Sequence, residues 1–379
     1  MTPPLTHDVI IIGGGIIGQM TAYRLQQAGC RCLILEKTKP RNPDSGSNGL
    51  TRSIRCDYPD PLYIGWAIEA QRLWRELEIE AGTEFYQQYG LVNLVPPDPY
   101  KGSGQCYASL VYQAMQKAGV SSEWLEDDAV PLPFQAAAAG TDPSGGLLDL
   151  EAIFGFLATR KLEIFSEVEI INIRVDATSC TVVTNQGDFI ADKIIIAAGL
   201  GTPAILKRAT GIEQMSLPLS AAKPKAVRYY YPPDQSLAHY TIQKLPVFAC
   251  LDLGIYGHPI LPERTPGVKI GYYTPPNVTL PSSFNGIDDF VRLMAPNLAS
   301  FPNRPVLDTD TGSYDMTPDG DFILGSWPDT DRLLIAAGWN GTGFKFAPKI
   351  AASLMDQVLT GGSGSSPARF APGRFMQGA

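Results

Sequence analysis

Gly13, Gly15 and Gly18 form a Gly-x-Gly-x-x-Gly loop between the apolar run Val9–Ile12 and a helical stretch. Gly13 permits the tight turn, Gly15 lets the backbone approach a pyrophosphate, and Gly18 lets the helix pack close to the sheet. Free N–H groups and the dipole at the helix N-terminus then favour a diphosphate. Glu36 closes the next apolar run, about twenty residues on, where a carboxylate can accept hydrogen bonds from a ribose. This pattern fits NAD and FAD equally. Two more apolar runs, Asp192–Gly199 (DKIIIAAG) and Leu333–Gly338 (LLIAAG), end in small residues that admit a bulky cofactor near the sheet. The second lies near the C-terminus. A nicotinamide enzyme more often places its second domain after one uninterrupted nucleotide fold, so this late return of the chain favours FAD.

The elements that must hold these residues follow from periodicity. Residues 8–36 read as one βαβ unit, with Ile16–Ala28 helical and Cys32–Leu35 a short buried strand. Residues 60–82 carry an apolar stripe of Ile64, Ile68, Leu73, Trp74 and Leu77, which predicts a helix. The stretch from 85 to 145 is rich in proline and reads as irregular, with one helix near Ala108–Ala118. Asp149 is placed to cap a helix running through Ala158. Strand-like runs follow at Val168–Val175, Cys180–Thr184, Lys193–Ala197, Val227–Tyr231, Phe248–Leu251 and Val268–Tyr273. Leu333–Ala336, a glycine-rich turn and a helix from about Ala347 to Leu359 make a last β-turn-α unit, and the tail beyond Gly361 reads as loose. The expected fold class is α/β: a Rossmann-type FAD-binding domain of discontinuous segments (1–84, 146–218 and 310–379) with an inserted, mainly antiparallel β substrate domain (85–145 and 219–309).

Composition narrows the function classes. The chain has 379 residues, 44% hydrophobic and 18% charged, enough apolar content for a large core. A net charge of −8 with no basic block excludes nucleic acid as a partner. The start MTPPLTHD has no basic segment and the apolar run after it is broken by glycines, so neither a signal peptide nor a membrane span is expected. Cys30, Cys32, Cys56, Cys106, Cys180 and Cys250 lack metal-ligand spacing and read as buried reduced thiols of a cytoplasmic protein, which is expected to be a monomer. With only three histidines, no metal site is expected.

Four segments carry a family resemblance that spans nearly the whole chain: HDVIIIGGGIIG at the start, GLTRSIRCDYPDPLY at 49–63, GVKIGYY at 267–273 and IAAGWNGTGFKFAP at 335–348. They resemble the FAD-dependent amine oxidase superfamily that includes D-amino acid oxidase and glycine oxidase. The likeness is greatest to the branch of monomeric sarcosine oxidase and N-methyltryptophan oxidase. The first segment is generic to flavoproteins, whereas the second and last are specific to this branch.

The resemblance assigns roles. Thr51-Arg52-Ser53-Ile54-Arg55 matches a loop passing over the flavin, with Arg52 beside the isoalloxazine and Arg55 on the substrate carboxylate. Lys345 matches a second carboxylate ligand, and Lys269 the lysine that promotes reaction with oxygen. An arginine fork pairs bidentately with a carboxylate, and a lysine adds a point charge. Strand alternation puts Lys269, Gly271 and Tyr273 on one face. Tyr314 joins the catalytic set, and Trp339 either narrows the substrate pocket or is core packing. The cofactor set is Gly13, Gly15, Ile16, Ile17, Gly18, Glu36, Lys37, Ser47, Thr51, Arg52, Val168, Ala198, Gly199, Gly341, Gly343, Phe344 and Lys345. Two positions depart from the branch. Tyr273 stands where it has a histidine near the substrate amine. In Thr311-Gly312-Ser313-Tyr314, Gly312 stands where it has the cysteine that tethers the flavin. The resemblance therefore implies non-covalent FAD, with Cys56 and Cys250 as the remaining candidate tethers.

The implied activity is oxidation of the carbon–nitrogen bond of a secondary, N-methyl or cyclic amino acid to an imine. Molecular oxygen is the expected acceptor, giving hydrogen peroxide. The alternatives are an FAD-dependent amino acid dehydrogenase using a quinone or protein acceptor, a flavin hydroxylase or halogenase, and a non-catalytic FAD-binding protein. No motif of a hydroxylase or halogenase accompanies the glycine loop.

Overall fold

The computed structural model describes residues 6–43, 45–100, 106–130, 133–274, 279–305, 312–361 and 366–376. The chain packs as two compact units. The first holds Met1–Asn48, Phe154–Ala222 and Gly312–Ala379; the second holds Gly49–Ile153 and Lys223–Thr311.

In the first unit, Val9–Ile12 are all nearly inaccessible to solvent, as a central strand covered on both faces requires. The Thr6–Ile12 strand pairs in parallel with Cys32–Leu35 on one side and Gly187–Ile196 on the other, in the registers Ile12↔Leu35 and Ile12↔Ile196. Thr330–Ala337 runs parallel to the end of Gly187–Ile196, with Ile196 opposite Ile335. The sheet continues through Glu163–Phe165 at one edge and an antiparallel set, Ile170–Val175 and Cys180–Thr184, at the other. The parallel strands therefore end together, which brings Gly13, Glu36, Ala197 and Gly338 to one end of the sheet. That end is where open α/β sheets bind their ligands. The Ile16–Gln27 and Gly343–Thr360 helices pack on one another.

The second unit is built on an eight-stranded sheet in the order Asn303–Pro305, Ala226–Tyr230, Val268–Tyr272, Ile255–His258, Val247–Cys250, Leu91–Val95, Ala138–Asp142, Trp124–Glu126. All neighbours are antiparallel except Val247–Cys250 with Leu91–Val95. Val268 and Ile270 point into an apolar core with Tyr230, Phe248, Ile255 and Phe290. A separate three-stranded sheet pairs Thr51–Ile54 and Tyr86–Gln88 with Gly146–Asp149.

Several expectations need correction. Residues 49–84 and 146–153 pack with the second unit, because the Thr51–Ile54 strand finds its partners there; such pairing leaves no local signal. The stretch 85–145 is not irregular: it holds the strands Tyr86–Gln88, Leu91–Val95, Trp124–Glu126 and Ala138–Asp142. The last helix starts at Gly343 rather than near Ala347 and carries Pro348 inside it, so Lys345 stands on its first turn. Beyond Gly361 the described residues are anchored, with Phe370 fully buried against Phe322 and Arg369 paired with Asp321. Asp149 does cap its helix, accepting from Ala152 N at 3.1 Å, and the helix spans Leu150–Ala158.

Candidate functional site

The glycine loop of the first unit is packed to its limits. A Cβ on Gly18 would lie 1.9 Å from the Gly13 carbonyl oxygen, and one on Gly13 would lie 2.4 Å from that of Ala197. Gly13 also has φ of +117°, open only to glycine at low cost. Gly15 caps the Ile16–Gln27 helix with extended backbone and no side-chain cap bond, while Ile16 N donates to Ser47 Oγ at 3.0 Å. The Glu36 carboxylate reaches back to the loop, accepting from Gly14 N at 2.6 Å and from Thr38 N at 2.9 Å. Val168 N donates to the Glu36 carbonyl at 3.0 Å, and Ile17 is buried on the first helical turn. Lys37 is exposed beside Glu36. Ala198 and Gly199 open a short turn at the end of Gly187–Ile196, with φ of +52° at Gly199.

A second turn of the first unit, Gly338–Thr342, leads into the last helix. Gly338, Asn340 and Gly341 all have positive φ. The buried Asp315 carboxylate accepts from Gly338 N at 2.7 Å, and Asn340 N donates to the Asp315 carbonyl at 2.9 Å. The Asn340 side chain accepts from Thr317 N and donates to the Gly338 carbonyl. Burial pushes the Asp315 carboxyl up to about 6. Tyr314 lies against Gly341, where an added Cβ would approach its ring to 3.3 Å. Trp339 packs edge-on to Phe322 and crowds Gly343. Phe344 packs edge-on to Phe154, and the buried Lys345 donates to the Thr342 carbonyl at 3.4 Å.

Gly312 has no thiol, and a side chain at this position would be crowded. Even a Cβ there would lie 2.8 Å from the Ser45 carbonyl oxygen. Thr311, the first residue of the matching stretch, lies outside the described residues. Burial pushes the Cys56 thiol up to about 12, with Asp142 adding to it, and burial raises Cys250 well above the ordinary thiol range. Both stay protonated at neutral pH and are poor nucleophiles.

In the second unit Arg55 is buried and its Nη1 donates to both the carbonyl and the carboxylate of Asp57, at 2.7 and 2.5 Å. Asp57 is fully buried and also accepts from Asn93 Nδ2 at 2.7 Å. The guanidinium lies 4.6 Å over the Tyr58 ring. Burial works most strongly against its charge, but the Asp57 carboxylate together with Tyr58, Tyr107 and Tyr273 outweighs it and holds Arg55 well above its ordinary value. The loop is pinned from behind by Cys56 N donating to Asp142 at 2.6 Å. Arg52 is half-buried on the Thr51–Ile54 strand, and Thr51 is fully buried.

Lys269 is 3% exposed, so it is not a solvated strand lysine. It lies 5.8 Å from the centre of the Tyr256 ring, and Tyr256 meets Tyr273 edge-on at 5.6 Å. Gly271 makes room for that tyrosine: a Cβ would sit 2.2 Å from the Tyr256 ring. Within this unit the structure thus gathers the expected residues Arg55, Tyr273 and Lys269 around aromatic rings. Among the described residues no cluster of histidine, cysteine and acidic side chains suits a metal, and no helix is long and apolar enough to cross a membrane.

A glycine loop leading into a helix N-terminus, together with an acid at the end of the second parallel strand, suits a dinucleotide. The model of the family "FAD dependent oxidoreductase" (DAO) matches residues 8–357. The chain belongs to that family. It is an FAD-dependent oxidoreductase of α/β fold, and its curated relatives include sarcosine oxidases. It is 30% identical over 370 residues to peroxisomal sarcosine oxidase of Mus musculus, covering 92% of this chain and 91% of that protein. It is 25% identical over 384 residues to monomeric sarcosine oxidase of Streptomyces avermitilis, covering 98% of each. Among solved structures, L-proline dehydrogenase from P. horikoshii shares the fold with a TM-score of 0.78 at 20% identity, covering 99% of each chain.

The residues of the first unit fit FAD. The Gly13–Gly18 loop at the start of the Ile16–Gln27 helix could hold the pyrophosphate, and the Glu36 carboxylate, which already accepts from Gly14 N, could take a ribose hydroxyl. Sequence reading missed Asp57, Asn93 and Asp315. Each is an ordinary polar residue in the sequence; in the structure all three are buried, Asp57 bound to Arg55, Asn93 to the Asp57 carboxylate and Asp315 to Gly338 N. The one available signal was Asp57, two residues after the second arginine of the Thr-Arg-x-x-Arg segment.

Proposed function

We propose that this FAD-dependent oxidoreductase oxidises the carbon–nitrogen bond of a secondary, N-methyl or cyclic amino acid to an imine, with molecular oxygen as acceptor. The observation that carries this reading is the buried Arg55, charged, aromatic-lined and held by Asp57. A fixed guanidinium in an apolar surround suits a small carboxylate. The names of two relatives, sarcosine oxidase and N-methyl-L-tryptophan oxidase, point the same way, towards N-methyl amino acids.

FAD, when bound, supplies the two-electron acceptor for hydride from the carbon beside the nitrogen. The residues of this chain do the rest. Arg55 binds the acid and orients the amine-bearing carbon. Tyr273 and Tyr256 shape an aromatic wall against the substrate's apolar side. The amine reacts as its neutral form, so no side-chain base is required. Overall the amine loses two hydrogens and oxygen gains them as hydrogen peroxide. The imine is then hydrolysed in water, or persists if cyclic. Lys269 provides a buried cation that stabilises negative charge developing on oxygen. FAD is held without a covalent bond, since position 312 is a glycine with no thiol to form a thioether.

The test compares an amino acid that is turned over with its methyl ester. The ester should lose about 30- to 1000-fold in kcat/KM, the roughly 2–4 kcal/mol expected when a desolvated charge pair loses one partner. Arg55→Lys, which keeps a charge for Asp57 but loses the fork, should narrow that gap. Equal efficiency for acid and ester in the wild type would remove the carboxylate anchor from the reading. If reduced enzyme is reoxidised by a quinone and not by oxygen, the activity is that of a dehydrogenase.

A further inference from the structure

The sheet face that carries Lys269 also holds a histidine. His258 lies directly opposite Lys269 in the antiparallel register, Tyr256 lies opposite Gly271, and Tyr229 lies opposite Lys269 on its other side. Directly opposed residues share a face. His258, Tyr256, Tyr229 and Lys269 therefore project the same way, while Val268 and Ile270 turn into the core. The ring of Tyr256 lies 5.9 Å from that of His258 and 5.6 Å from that of Tyr273.

His258 is 3% exposed, and its Nδ1 lies 2.9 Å from Thr51 Oγ1, which is itself fully buried. Thr51 belongs to a different, three-stranded sheet, and it opens the strand that carries Arg52 and runs on to Arg55. One buried hydrogen bond thus joins the strand next to Lys269 with the strand of the two arginines. In an apolar surround such a bond fixes both groups, because either one alone would be left desolvated.

We propose that His258 is a positioning residue for the reaction: through Thr51 it holds the arginine strand in register with the strand that presents Lys269. The inference rests on the roles of Arg55 and Lys269 given above. It deepens that reading by naming the link between the carboxylate anchor and the oxygen-facing cation. A hydrogen bond at Nδ1 has a distinctive mimic. The side-chain amide of asparagine reaches the Nδ1 position of histidine, and that of glutamine reaches Nε2 instead.

The experiment uses the FAD-loaded enzyme and the variants His258→Phe, His258→Asn, His258→Gln, Thr51→Val and the double variant Thr51→Val/His258→Phe. Acetate binding, read by the flavin difference spectrum, reports on Arg55; anaerobic reduction and reoxidation rates report on the two half-reactions; urea unfolding reports on the bond itself. His258→Phe should weaken acetate binding and slow both half-reactions about ten- to a hundredfold, the scale of a misplacement near 1 Å. His258→Asn should restore most of this and His258→Gln little. The double variant should be no worse than Thr51→Val alone, the sign of one shared interaction. Wild-type constants in a folded His258→Phe would overturn the proposal, as would additive losses in the double variant. So would an Asn variant as impaired as the Phe variant. Lys269→Met and Arg55→Lys run beside them: if these behave as wild type, the roles of Lys269 and Arg55 fail. In that case non-additive unfolding with unchanged acetate binding reduces His258 to a structural tie and overturns the proposal too.

Discussion

Asp315→Asn should unfold at a higher urea concentration than the wild-type protein at pH 8, although it removes a charge from a buried hydrogen-bond network. The Asp315 carboxyl is buried, and burial raises it from 3.8 to about 6 against the opposing effect of backbone N–H donors such as Gly338 N. The folded-state value thus lies above the unfolded one. The folded form binds the proton more tightly, so the associated stability is complete below about pH 4 and is lost as pH rises through about 6. A shift of roughly two units corresponds to about 3 kcal/mol at pH 8, using about 1.4 kcal/mol per unit. Asparagine keeps an acceptor for Gly338 N and carries no charge, so it should recover most of that amount. The assay is urea unfolding of wild type and variant at pH 8, 6 and 4. The difference should be largest at pH 8, smaller at 6 and near zero at 4. A variant less stable than wild type at pH 8, or a difference that ignores pH, would refute the argument. The same variant should hold FAD less well if the charge serves to aim the Gly338–Thr342 turn, which carries three positive-φ residues. That outcome would account for a buried acid kept at a cost in stability.

Other outcomes follow from the two units. Glu36→Ala should weaken FAD retention by about 1–3 kcal/mol, measured by equilibrium dialysis of the flavin, because a charged acceptor to the ribose is lost; unchanged affinity would refute the ribose assignment. Acid precipitation should leave the yellow flavin in the supernatant, since Gly312 cannot take a side chain without moving the Ser45 carbonyl; fluorescence remaining with the polypeptide on a denaturing gel would contradict this. Lys269→Met should slow reoxidation of reduced enzyme by oxygen much more than its reduction by substrate, as stopped-flow can show. Equal slowing of both steps would make the buried Lys269 structural.

What the sequence alone determined is local. The glycine loop, the β-branched run Val9–Ile12 and Glu36 are legible because turn geometry, strand burial and helix N-terminus chemistry each act within a few residues. The alternation of Lys269, Gly271 and Tyr273 against Val268 and Ile270 was legible for the same reason: a strand's faces follow from its period of two. Tertiary structure decided the rest. Pairing with Gly146–Asp149 places Thr51–Ile54 in the second unit, and the last helix starts at Gly343, where Phe344 and Phe346 pack on Phe154 and Phe322, despite its glycine and proline. Asp57, Asp315 and His258 look like ordinary polar residues in one dimension. They matter because they are buried and hydrogen-bonded to residues well separated in sequence, Asn93, Gly338 and Thr51. A polar group gains that importance when it is desolvated, and desolvation depends on neighbours that local sequence does not contain.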